Sequence, residues 1–215
     1  MNNPHPQPHL FWGSRSPLAT LTGAGLLIMA SSRTAFALIT LGALVWVYAL
    51  TVLVFHLAGP VLPEKGRTLV QVSLSAFLGG VYHLIFSLMD PLLAAETSLF
   101  IILTPVCFIA AALLPRVETL PPKDALIRAV SEALTLGLLI LAVALVREPL
   151  GFGSLSFPGG MRGTIEILGS RENSLFPIQI IGGSAGALLF FGYGLAMYRR
   201  EKKRQFPGGE NREEP

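Results

Sequence analysis

The chain has 215 residues, of which 52% are hydrophobic and 13% charged, with a formal net charge of +3 and a mean hydropathy of +0.60. Soluble domains are about one-quarter charged, so this balance excludes an ordinary soluble enzyme and points to a polytopic membrane protein. A single cysteine excludes an intrachain disulfide and any self-contained site of several cysteines.

The first sixteen residues, including His5-Pro6-Gln7-Pro8-His9, read as a proline-rich disordered tail (1–16). Two histidines in such a tail carry little metal signal. A first apolar segment, 17–30, is short; it has the length of a signal-peptide core, but no clean small-x-small cleavage site precedes the next helix. The second, 34–57, has no charge until Glu64 and is long enough to cross a hydrocarbon core of about 30 Å. The third, 68–89, stops at Asp90-Pro91. The fourth, 98–114, carries Pro105, which predicts a kink or break. The fifth, 129–146, closes with Arg147-Glu148-Pro149, and the sixth, 177–198, meets a basic run beginning at Arg199.

The expected fold is therefore an all-α membrane protein: six transmembrane helices (17–198) as two inverted three-helix repeats, with the first and fourth helices short or broken. A basic-then-acidic tail, 199–215, follows. Short segments at matching places in two halves suggest a site at mid-membrane depth. With the amino terminus inside, twelve basic residues fall on the cytoplasmic side. They are Arg15, Lys65, Arg67, Arg116, Lys123, Arg128, Arg199, Arg200, Lys202, Lys203, Arg204 and Arg212. Only Arg33, Arg147, Arg162 and Arg171 fall outside, which puts both termini in the cytoplasm. The longest outside loop, 149–176, is glycine-rich and not expected to fold alone. The basic residues mark membrane edges, and no nucleic-acid partner is expected; the lipid bilayer is the surrounding solvent.

Few side chains carry chemistry. Cys107 follows Pro105 by two residues, and a thiol beside a broken helix is either a metal ligand or a small buried hydrophobe. His83 lies deep in segment three after Gly79-Gly80, where an ionisable group is a functional candidate or an interhelical hydrogen-bonding group. His56, at the end of segment two, can reach the headgroups. Glu132 lies four residues after Arg128, the spacing of an interfacial ion pair. Gly182 and Gly186 have the small-xxx-small spacing of close helix packing. The glycines around Gly151 and Gly159 lack the lysine and strand-turn-helix context of a nucleotide loop.

Two stretches carry a family resemblance. Ser98-Leu99-Phe100-Ile101-Ile102-Leu103, followed by Cys107, and Arg147-Glu148-Pro149-Leu150-Gly151-Phe152-Gly153-Ser154-Leu155 resemble the small membrane subunits of the Rnf and Nqr ion-pumping electron-transport complexes. The resemblance spans roughly residues 20 to 205, and the cytoplasmic carboxyl end makes it more similar to the RnfE or NqrD type. It implies an integral inner-membrane subunit of a redox-driven translocase that couples electron transfer to Na+ or H+ movement. Its partners would be a homologous, oppositely oriented sister subunit and the other Rnf/Nqr-type subunits. Nicotinamide, flavin and quinone chemistry would lie elsewhere in the complex. It also implies a [2Fe–2S] cluster shared with the sister, each subunit giving two cysteines. Cys107 matches the second. Where the first is expected the stretch 23–32 has none, and Val106 replaces the usual asparagine. A cluster normally takes four protein ligands, so the chain is either a partial ligand donor through Cys107 or a scaffold member without a cluster. The alternative reading is the substrate-binding membrane subunit of a vitamin-uptake transporter of the energy-coupling-factor (ECF) type.

Overall fold

The computed structural model describes residues 25–58, 66–110, 117, 120–159, 164–169 and 182–205. A 3-10 segment, Gly25–Ser32, leads into α1, Thr34–Ala58. There follow α2 (Arg67–Met89), α3 (Pro91–Ala110) and α4 (Pro122–Phe152), then a hairpin of β1 (Ser154–Pro158) and β2 (Thr164–Gly169), and finally α5 (Ser184–Gln205). Four helices, α1 to α4, contain stretches long and apolar enough to cross a membrane. The flanking pieces are shorter: the 3-10 segment has eight residues, and the apolar part of α5 is Ala185–Gly194. Eight 3-10 residues rise about 16 Å, roughly half a hydrocarbon core. The expected short first segment is present to that extent; its residues 17–24 lie outside those described, and the six-helix repeat is not established by the rest.

The fourth segment departs from expectation. It is not short and not broken: α3 starts seven residues earlier, at Pro91, and runs as continuous helix through Pro105. Both ends of that difference have local causes. Asp90 Oδ1 accepts the Leu93 N–H at 3.0 Å and so caps the helix, while Pro91 suits a first turn that needs no N–H. The ring of Pro105 is accommodated by Gly79 of α2, where a Cβ would approach the ring Cγ to 3.1 Å.

α4 is also longer than predicted, opening at Pro122 and passing Pro149 to a left-handed cap at Gly153 (φ 64°), whose N–H bonds the Pro149 carbonyl at 3.0 Å. Glycine is the residue suited to that φ. The glycine-rich loop then gives the hairpin, antiparallel with a register irregularity between Leu155 and Ser156. α5 carries helix into the basic run as far as Gln205, beyond the predicted end at 198.

α1 is the central helix. Its buried face includes Leu44, Val47, Tyr48 and Val52, and it forms one core with Phe108 and Cys107 of α3 and with Ala129, Ala133, Leu136 and Ile140 of α4. Close approach of α1 and α4 depends on Gly137, where a Cβ would lie 2.7 Å from Leu41 Cγ. α2 docks through Tyr82, whose hydroxyl donates to the Ile39 carbonyl at 3.1 Å beside Gly42. The outward face of α2 is broadly apolar: Leu69, Phe77, Leu84 and Leu88 are exposed, as in a helix bathed by lipid.

Candidate functional site

Arg147 and Glu148 sit near the end of α4 and are each 1% exposed. Arg147, expected at the outer end of the fifth segment, is thus enclosed within the protein. Burial of a charge is costly without partners, and these two side chains have them in three elements. Glu148 Oε2 accepts from the Thr34 backbone N–H at 2.6 Å and from Thr34 Oγ1 at 2.5 Å. Thr34 opens α1, where backbone donors lack intrahelical acceptors and the helix dipole favours negative charge. Glu148 thus caps a helix 114 residues away in sequence. Arg147 Nη1 donates to Ser31 Oγ at 3.0 Å, and Nη2 donates to the carbonyls of Gly182 at 2.6 Å and Gly183 at 2.5 Å. One dipeptide therefore ties the 3-10 segment, α1 and the start of α5 to α4. Gly182 also meets the ring of Phe152, where a Cβ would come within 3.1 Å. Gly182, one member of the Gly182/Gly186 pair, thus lies close against the end of α4 just before α5 begins.

A second polar group lies ten residues into α4, about 15 Å from its start. Glu132 is buried, and its Oε1 accepts from Arg128 Nε at 3.4 Å. The predicted ion pair is present. Its carboxylate is inside the bundle rather than at the edge, because α4 begins seven residues earlier than the apolar run suggested. On α1, Tyr48 and Thr51 lie one turn apart, both 0% exposed. Tyr48 is within electrostatic reach of Cys107 and Glu132, and its ring packs edge-on to Phe108 at 4.9 Å. The hydroxyls of Tyr48 and Thr51 have no hydrogen-bond partner among the described residues.

Cys107 is 1% exposed and belongs to the chain's own core with Phe108, Leu44 and Tyr48. A cluster shared between subunits needs thiolates on the face the subunits share. Cys107 instead faces its own bundle, and the described residues contain no group of three or more metal-ligating His, Cys, Asp or Glu side chains.

The histidines divide. His56 reaches the Leu120 carbonyl, 3.0 Å from Nε2, and so staples the end of α1 to the start of α4. His83 is part-buried, and its Nδ1 has no hydrogen-bond partner among the described residues. His5 and His9 lie outside the described residues. Ser31, Thr34, Tyr48 and Thr51 escaped the sequence reading. Only the Tyr48/Thr51 pair left a trace there, as two polar residues three apart in a mostly apolar helix.

No curated protein matches the chain. The family described as Rnf-Nqr subunit, membrane protein, matches residues 11–195. The match takes in both motif stretches, including the Arg147-Glu148 pair that joins the elements, and the chain belongs to this family.

Proposed function

We propose that the protein is an integral subunit of an Rnf/Nqr-type electron-transport complex in a bacterial inner membrane, part of a machine that couples electron transfer to Na+ or H+ translocation. The observation that carries this reading is the family match over residues 11–195. The buried Arg147-Glu148 junction supports it, because it gives that motif a physical task. Both termini face the cytoplasm in this reading, and the charge bias survives removal of the buried Arg147 from the outside count. A homologous sister subunit is the expected neighbour.

The chain acts in the complex as a scaffold rather than a cluster donor. A lone thiol turned into its own core favours that assignment for Cys107. The junction fixes the half-length 3-10 segment between longer helices, which is the part a pseudo-symmetric partner would pack against.

Purification of the tagged chain from native membranes tests the assignment. It should bring down a sister membrane subunit together with flavin-carrying and ferredoxin-like subunits. Recovery with transporter ATPases instead would assign it to vitamin uptake. Iron content and the electron paramagnetic resonance of that complex should be unchanged by Cys107→Ser; a lost signal would make Cys107 a ligand after all.

A further inference from the structure

The buried hydroxyls of the bundle fall into two groups. Thr40, Thr97 and Thr104 each donate to the carbonyl four residues back, at 2.8, 2.7 and 3.1 Å. That is the default for threonine inside a membrane helix, where an unspent hydroxyl has no water to bond. Thr51 does otherwise. It is 0% exposed, yet its Oγ1 has no partner among the described residues. Tyr48, one turn earlier on α1, is equally buried and its hydroxyl equally unpartnered. An unspent hydroxyl is costly to bury, so two of them one turn apart on α1, with Tyr48 in electrostatic reach of the buried Glu132 carboxylate, call for a guest.

We propose that Tyr48, Thr51 and Glu132 form a binding site for a single alkali cation, of which Na+ is the type. The donors are all oxygen, the set that hard cations select. Of the three side chains only the Glu132 carboxylate carries charge, one negative unit. That charge suits a monovalent rather than a divalent ion. Arg128 is the competing cation. Its side chain is 32% exposed whereas that of Glu132 is 4% exposed, so Arg128 can withdraw toward the membrane edge as the ion takes its place. Cys107, facing the same group from α3, offers sulfur, a poor ligand for such an ion. Waters complete the coordination. The site deepens the translocase reading and rests on it for its biological purpose, but it is measurable on the chain alone.

The test is binding of radiolabelled Na+ to the purified full-length chain in lipid nanodiscs, with choline as the balancing cation. The wild type should bind stoichiometrically and saturably. Thr51→Val, which keeps the shape of the side chain, and Glu132→Gln should each weaken binding by about tenfold or more, the loss expected for a hydrogen-bonding or charged contact. Thr97→Val, whose hydroxyl is already spent on its own helix, should leave binding unchanged. Saturable binding that survives both Thr51→Val and Glu132→Gln would overturn the site, as would no binding by the wild type. Because the assay needs no partner subunit, its failure would leave the complex assignment standing. Failure of co-purification would likewise leave the binding result intact.

Discussion

The two polar regions of the bundle solve the same problem in opposite ways. Around Arg147 and Glu148, charges buried to 1% exposure are matched by a helix start, a serine hydroxyl and two loop carbonyls. Around Tyr48 and Thr51, two hydroxyls buried just as deeply are left unmatched by the described residues. A satisfied network in low dielectric rigidifies its surroundings, whereas an unsatisfied one is costly. The first region therefore reads as architecture and the second as a place kept ready for something that arrives.

The largest expected effect is in the satisfied region. Arg147→Met removes the donor from Ser31 Oγ and from the Gly182 and Gly183 carbonyls and should destabilise the chain by about 3–5 kcal/mol. Heating the detergent-solubilised protein and following its loss of monodispersity measures this. Arg147→Lys should recover only part of the loss, because an ammonium cannot reproduce a forked guanidinium that reaches three acceptors. A variant as stable as wild type would remove the architectural reading.

Next in size is the cap. Glu148→Gln keeps the side-chain shape but weakens two hydrogen bonds that a full negative charge now accepts, for a loss of roughly 1.5–3 kcal/mol. Hydrogen exchange should rise at the first turn of α1 before it rises elsewhere. Gly137→Ala is a comparable test of packing: a methyl meeting Leu41 at 2.7 Å should cost about 1–3 kcal/mol and separate α1 from α4.

The smallest effects are the most discriminating between the regions. In sodium-free buffer Thr51→Val should be neutral or slightly stabilising, because it deletes a hydroxyl with no partner. Thr97→Val should instead cost about 1 kcal/mol, because it deletes a bond made at 2.7 Å. Equal losses in both variants would mean that Thr51 is satisfied after all.

Much of this was legible in the sequence, for particular reasons. The long apolar runs gave α1 and α2 almost to the residue, because a span is defined by absence of charge and nothing competes with that signal. The motif at Arg147-Glu148 was legible as important but not for what it does. Its partners lie 35 to 116 residues away, and no local pattern encodes such contacts. α3 was misjudged because Pro105 reads as a helix breaker, whereas Gly79, on another helix, makes room for it. α4 was cut short at both ends, since Lys123, Asp124 and Arg128 look like loop until Pro121 and Pro122 are seen to start a helix. The hairpin after Gly153 was hidden in glycine-rich sequence. Tyr48 and Thr51 show in the sequence only as polar residues three apart; that their hydroxyls are unmatched appears only in three dimensions.

Partner recovery tests the whole account most directly. The tagged wild-type chain and Arg147→Met would each be pulled from native membranes and their companions quantified by mass spectrometry. The wild type should retain its sister subunit and the flavin- and ferredoxin-type subunits in fixed ratio, and Arg147→Met should lose them. Full recovery of those companions by Arg147→Met, or their absence from the wild type, would contradict it.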